Sequence, residues 1–518
     1  MARTVEAKQT KMNTEATQPG WNAQGLKLLV IFVTIGFLLS LGVGALASGL
    51  GTTGLPLVVA LILVVPPAVA FAVIGLKQAA GYLQEFFSSW GLGHWMILFL
   101  FISTLVFRVR DAAASASAPV DAWSMLRLGP EALVAGILLV EMLRRQTQWV
   151  SSLFRGLLGA LAAYGLICTL SSTWSVYASW TLYKSLEFLL DLAVFAFILA
   201  TVDSVEKFRQ ILNWVWALYG LELVWTWLGA AIWRSQALDE LGRLSGVWPI
   251  VASNSIGVSG AVISVVALAR FLARGTQKAD RTAYGLLFVF GFISLVASQT
   301  RNSLAGFIFG AFVVLLYERR VWIGVLAGAM AVPAVLFSSL GPKLYDFLLR
   351  SQTETQVADL SGRTIWWSYA WQLVTQHPLT GLGAYAAGKF AILGKLGLSE
   401  ASQIHSDWLE VMVGTSFWGL IPFVIAFLGC WWILGRSYWD RSLSVGERQL
   451  SAEIFGVLGI ISVRSFFNVE MSWHAPFLYF AVVAYAEFLR RKKEKEQMDL
   501  NRSYLEVQSE ITRSPIGS

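Results

Sequence analysis

Apolar residues along this chain come in long runs, not at alternate positions or in narrow stripes. Runs of roughly 16–22 residues predict spanning helices, because a ~30 Å hydrocarbon core takes about 20 helical residues. They fall at about 26–47, 55–75, 93–108, 131–143, 156–171, 187–202, 211–232, 255–272, 283–299, 302–317, 321–339, 414–434, 452–467 and 474–489. The third and fourth are short, so the count is about 12, within 12–14. Residues 93–143 read either as two spans or as one re-entrant pair. A β-barrel would instead show alternating segments of about ten residues, and the sequence lacks them. The pattern predicts an all-α polytopic membrane domain over 26–489. Cytoplasmic segments are expected at 1–25 and 490–518, and a large polar loop with short helices at 340–413.

Composition agrees. The chain is 56% hydrophobic and 14% charged, against roughly 45–50% and about 25% for soluble domains. The net charge of +7 raises nucleic acid as a partner, but the basic residues fall in alternate loops. Lys8, Lys11 and Lys27 open the first span, and Arg144, Arg145 and Arg155 precede the fifth. Arg319 and Arg320 follow the tenth, and RRKKEK (490–495) follows the last. That asymmetry assigns these loops, and both termini, to the cytoplasm. The first 24 residues are polar and lead into an apolar run without a small-residue cleavage pattern, which predicts an uncleaved first helix. The segment after Leu489 reads as a charged, mobile tail. Cys168 and Cys430 both lie in apolar runs and read as small packing residues.

The polar loop lies on the side that the charge rule leaves poor in cations, yet it carries Arg350, Arg363, His377 and His405 in a protein with four histidines. Arg301 stands in a turn between two apolar runs on the same side. An arginine there is either a cation snorkelling to the headgroups or a phosphate ligand, for which a planar guanidinium is suited. Arg363 opens a predicted amphipathic helix over 363–375, capped by Ser361 and ended by His377-Pro378. Trp366, Trp367, Ala370 and Leu373 would lay that helix on the membrane surface. His405 directly precedes a spanning helix and is either structural or a general base. Asp407 does not share its helical face, whereas Trp408 and Leu409 do. Trp366, Trp367 and Trp408 belong to an interfacial belt or stack on sugars. There is no HExxH, Cys/His cluster, Walker motif or dinucleotide fingerprint. A reaction outside the cytoplasm then needs a leaving group that is already activated.

RLSGVWPIVASNSIG (243–257), SQTRNSLAG (298–306), the GR-W element (362–366), HPLTGLGAY (377–385) and HSDWLEVMVGTSFWGL (405–420) occur in that order. Together they resemble the O-antigen ligase/polymerase superfamily, most of all its ligase branch. The resemblance implies a GT-C-type glycosyltransferase of the Gram-negative inner membrane, with its active site facing the periplasm. Its donor would be an undecaprenyl-diphosphate-linked glycan and its acceptor the lipid A–core oligosaccharide. The reaction would invert the anomeric centre and use no metal or other cofactor. The family's functional residues carry over to Arg301, Arg363 and His405. Arg301 and Arg363 would bind the donor diphosphate, and His405 would accept the acceptor proton. Trp366, Trp408, Asn254, Arg243 and Arg350 are candidate substrate contacts. Arg234, Lys343 and Lys389 would draw in acceptor phosphates or serve only loop solvation. The alternatives are an O-antigen polymerase or protein O-oligosaccharyltransferase of the same superfamily, and, from another class, a transporter or flippase. Membrane lipids are expected partners and nucleic acid is not.

Overall fold

The computed structural model describes residues 90–105, 112–117, 122–144, 147–239, 241–247, 249–336, 362–397, 403–473 and 477–513, with isolated positions at 342, 345 and 349. The first two predicted spans, and Arg350, Lys343, Arg145 and His474, lie outside them. The chain divides into two compact units. One is 1–90 with 275–284, of which Trp90 and 275–284 are described. The other is 91–274 with 285–518.

Among the described residues helix is the only extended regular structure, beside two isolated bridges at Leu238–Leu244 and Gly246–Val251. The helices are α1 (Leu92–Leu105), α2 (Ala122–Leu143), α3 (Gly156–Leu170), α4 (Ala178–Thr201), α5 (Val205–Ile232), α6 (Ser253–Leu272), α7 (Lys278–Ala297), α8 (Arg301–Tyr317), α9 (Val321–Leu336), α10 (Arg363–Gln376), α11 (Asp407–Trp439), α12 (Val445–Phe467) and α13 (Phe477–Arg513). Six are long and apolar enough to cross a membrane: α3 with the turn after it, α5, α6, α7, α11 and α12. The protein is therefore an all-α, multi-pass membrane protein. Cys168 and Cys430 are buried and unbridged, among packed helices.

α8 lies close against α12, and glycines make the approach possible. A Cβ on Gly310 would stand 2.6 Å from the Gly456 carbonyl oxygen, and one on Gly459 would stand 3.0 Å from Gly310 Cα. Gly306 and Gly310 form a GxxxG pair, which lets backbones meet where side chains would hold them apart. This contact sets the first turn of α8 beside the last turn of α12.

Three elements depart from the sequence pattern. The fourth run is the C-terminal part of a 22-residue helix, α2, that begins at Ala122. α4 starts at Ala178, well before the apolar run, because Lys184 and Glu187 are buried as a pair, Nζ to Oε2 2.7 Å, with Arg127 of α2 on the same carboxylate. The tail after Leu489 is helical to Arg513. Its charges recur at i,i+4, pairing Arg490 with Glu494, Lys492 with Glu496 and Arg502 with Glu506, a spacing that supports an exposed helix.

α11 is broken at Ser416 (φ 53°, ψ −144°). The carbonyls of Val413 and Gly414, freed by the break, accept from Leu382 N and Gly383 N, each at 2.9 Å. The 377–385 segment thus packs on the helix; its Gly381 (φ 63°) and Gly383 (φ 98°) have left-handed backbone with no room for a Cβ.

Candidate active site

α8, α10 and α11 begin, and α12 ends, around one cluster of polar side chains. His405 stands two residues before α11, with a left-handed backbone (φ 56°). That conformation is uncommon outside glycine, although histidine tolerates it better than most residues. The next residues hold it. Asp407 is buried, and its carboxylate accepts from Glu470 N (2.8 Å), Ser472 N (2.8 Å) and Ser472 Oγ (2.7 Å), with Met471 N at 3.1 Å. This staples the turn after α12 to the head of α11.

On that turn, Asn468 Oδ1 lies 3.1 Å from His405 Nδ1. Asn468 Nδ2 donates to Glu470 Oε1 at 2.5 Å, which fixes the direction of the amide. A carboxylate only accepts, so the amide oxygen must face His405, and His405 must carry its proton on Nδ1. Nε2 is then left as the basic nitrogen. The imidazole stacks on Trp366 at a centroid distance of 6.0 Å. Burial, with the nearby Arg363 charge as a second cause, lowers the His405 pKa to about 4, opposed by its bond to Asn468. Neutral imidazole is the form present at pH 7.

Arg363 is the first residue of α10, and its Nη1 donates to Phe467 O at 2.7 Å. Burial and the Arg464 charge lower its pKa to about 10, so it stays cationic at neutral pH. The cap before it is Gly362 (φ 83°), not Ser361. Arg464 is buried; it donates to Glu470 Oε1 from Nε at 3.0 Å and from Nη2, and reaches Ser303 and Asn302 of α8 through Nη1. Arg301 opens α8 two residues from Ser303, and its Nη2 donates to Leu349 O at 3.0 Å.

The other candidates fall elsewhere. Trp408 packs on Phe423, Phe427 and Phe466 and donates to Ser465 Oγ at 3.1 Å, so it joins α11 to α12. Arg243 is tied to Asp239, Nε to Oδ2 2.7 Å, inside its own loop. The same carboxylate accepts from Ser253 Oγ at 2.8 Å, and these contacts hold the Asp239 pKa down although partial burial pulls it up. Asn254 lies in the first turn of α6; its neighbour Ser253 accepts from Thr300 Oγ1, the cap of α8, at 3.1 Å. Lys389 is buried, 5.0 Å from the Trp180 ring centroid, not out in a loop. The apolar face of α10 (Ala370, Leu373, Val374) packs on Ile392, Leu393, Ile404 and Val413 of the protein itself, not on a membrane surface. Among the described residues no three His, Cys, Asp or Glu side chains converge as a metal set. Arg464, Asn468 and Glu470 are the members that sequence reasoning missed. Their signal was an arginine inside an apolar run, followed by N-x-E at its exit.

Fold and site together define a multi-pass helical membrane protein that gathers arginines and one neutral histidine where several helices end. Residues 286–424, which include Arg301, Arg363 and His405, match the family described as O-antigen ligase. This match supports membership of the O-antigen ligase superfamily. No curated protein matches the chain significantly.

Proposed function

We propose that the protein is an O-antigen ligase. It transfers a glycan from undecaprenyl diphosphate to the lipid A–core oligosaccharide at the periplasmic face of a Gram-negative inner membrane, with both termini cytoplasmic. The observation that carries this reading is the His405–Asn468–Glu470 chain, which leaves Nε2 as the basic nitrogen of a ring that feels the Arg363 charge.

In the proposed reaction an acceptor sugar hydroxyl attacks the anomeric carbon as its bond to the diphosphate oxygen breaks. His405 Nε2 takes the hydroxyl proton, a contribution of about 10²–10⁴-fold. The transition state is oxocarbenium-like, and charge grows on the departing diphosphate. Arg301 and Arg363 act on that growing charge more than on the bound ground state. Attack opposite the leaving group inverts the centre. The diphosphate also opposes the Arg363 field at His405, so donor binding raises the basicity of the imidazole when it is needed.

The test is transfer in vesicles containing lipid A–core and polyprenyl-diphosphate glycan, with EDTA throughout. Modified lipid A–core with wild type, lost in His405→Ala, is the expected result. Lengthened polyprenyl-linked glycan with untouched lipid A–core would make the protein a polymerase, and absence of both products would sink the transferase reading.

A further inference from the structure

Thr364, Ser368 and Gln372 recur every fourth residue of α10, so one stripe of the helix carries two hydroxyls and an amide. The stripe is exposed and points away from the face that packs on Ile392 and Val413. Ile365 and Tyr369 flank it and Leu396 forms the facing wall, making a groove of about 430 Å³. Among the described residues no charged side chain lines it. Among the described residues the side chains of Thr364, Ser368, Tyr369 and Gln372 have no hydrogen-bond partner in the protein, whereas Trp366 and Trp367 on the neighbouring face are engaged.

The lining selects a ligand class. A phosphate group calls for a cation, and an acyl chain would leave the hydroxyls and the amide buried and unpaired. Two hydroxyls, an amide and a phenol both donate and accept, which suits neutral hydroxyl groups. The Tyr369 ring and Ile365, 60% exposed, offer apolar surface to the C–H faces of sugar rings. From Thr364 to Gln372 the helix rises about 12 Å, long enough for a short run of sugars. The groove also begins at the residue after Arg363. Sugars leading away from a diphosphate at Arg363 therefore enter it at Thr364.

We propose that this groove holds the sugars of the donor glycan beyond the one bonded to the diphosphate, as a neutral-glycan subsite that favours long donors over short ones. The assignment rests on the transfer reading above. It is tested with the full chain in nanodiscs, using Ser368→Trp to fill the groove and Gln372→Ala to remove the amide; both positions are exposed. Transfer is measured from polyprenyl diphosphate carrying one sugar and from polyprenyl diphosphate carrying several repeat units. Binding of lipid-free glycan, released by mild acid from the host lipopolysaccharide, is followed separately by saturation-transfer NMR. Ser368→Trp is expected to raise KM for the long donor about tenfold, the loss of one or two hydrogen bonds. It should leave kcat and the short donor unchanged and abolish the NMR signal; Gln372→Ala should do the same more weakly. An unchanged long-donor KM in both variants, or equal losses with both donors, would overturn the subsite. If wild type transfers neither donor but binds free glycan in a Ser368→Trp-sensitive way, the transfer reading fails and the glycan groove stands.

Discussion

α12 takes part in two arginine–carboxylate pairs, one toward each end, and they are built differently. Glu453 receives Arg270 of α6 through two bonds, Nε to Oε1 at 3.0 Å and Nη2 to Oε2 at 2.7 Å, and Asn213 of α5 accepts from the same guanidinium at 2.6 Å. All three belong to helices, and one positive charge meets one negative charge. At the other end Arg464 meets Glu470, but Glu470 also accepts from Asn468, Asn468 orients His405, and a second guanidinium, Arg363, approaches with no carboxylate paired to it among the described residues. The first pair ties three helices together. The second passes its hydrogen-bond order outward to a titratable ring and leaves net positive charge beside it. Buried ion pairs are weak evidence of stability or of function by themselves; what they orient distinguishes the two.

The comparison can be broken most severely at Arg363. Arg363→Ala should lower kcat by about 10²–10³-fold, the usual cost of removing one group that stabilises developing negative charge, while the protein keeps its melting temperature. Glu453→Gln should do the reverse. Leaving Arg270 buried without its carboxylate should cost about 3–5 kcal/mol of stability, read as a lower melting temperature in detergent, with unchanged turnover per folded molecule. Equal effects of the two changes on turnover would erase the distinction.

Asn468→Ala tests the orienting step and should cost about tenfold in kcat through loss of one hydrogen bond, with donor KM preserved. The smallest effect is a shift along the pH axis. Because burial and Arg363 lower the His405 pKa to about 4, kcat/KM should hold from pH 8 to about 5 and fall below about 4, as the imidazole protonates. The acid limb of kcat should break at higher pH, since bound diphosphate offsets the cation. Arg363→Ala should move the kcat/KM limb upward but short of about 6.5, the unperturbed value, because burial remains. An unmoved limb would show that the Arg363 charge does not reach the imidazole.

Much of this was legible in the sequence, and the failures have physical causes. Six of the spans were readable because burying a helix in lipid demands long apolar runs. Arg301, Arg363 and His405 stood out because a polar loop between such runs isolates them. Arg464 did not, since one cation in the run 452–467 leaves the run apolar overall, and its meaning depends on Ser303 and Glu470 from other segments. Arg243 and Lys389 were read as cations open to substrate, but Asp239 and the Trp180 ring engage them in space. The helix beyond Leu489 was missed because charge density suggests solvation, while i,i+4 pairing depends on the order of signs.

The seat of α10 has a consequence for how the enzyme meets its lipids. Ala370, Leu373 and Val374 rest on protein, so the helix that carries Arg363 takes its height from α11 and the 387–393 turn and not from the headgroups. A thicker or thinner bilayer would change how deep the bundle floats, yet it would leave the distance between Arg363 and His405 untouched. Lipid composition then acts on how substrates are delivered, while the geometry of the chemistry travels with the protein.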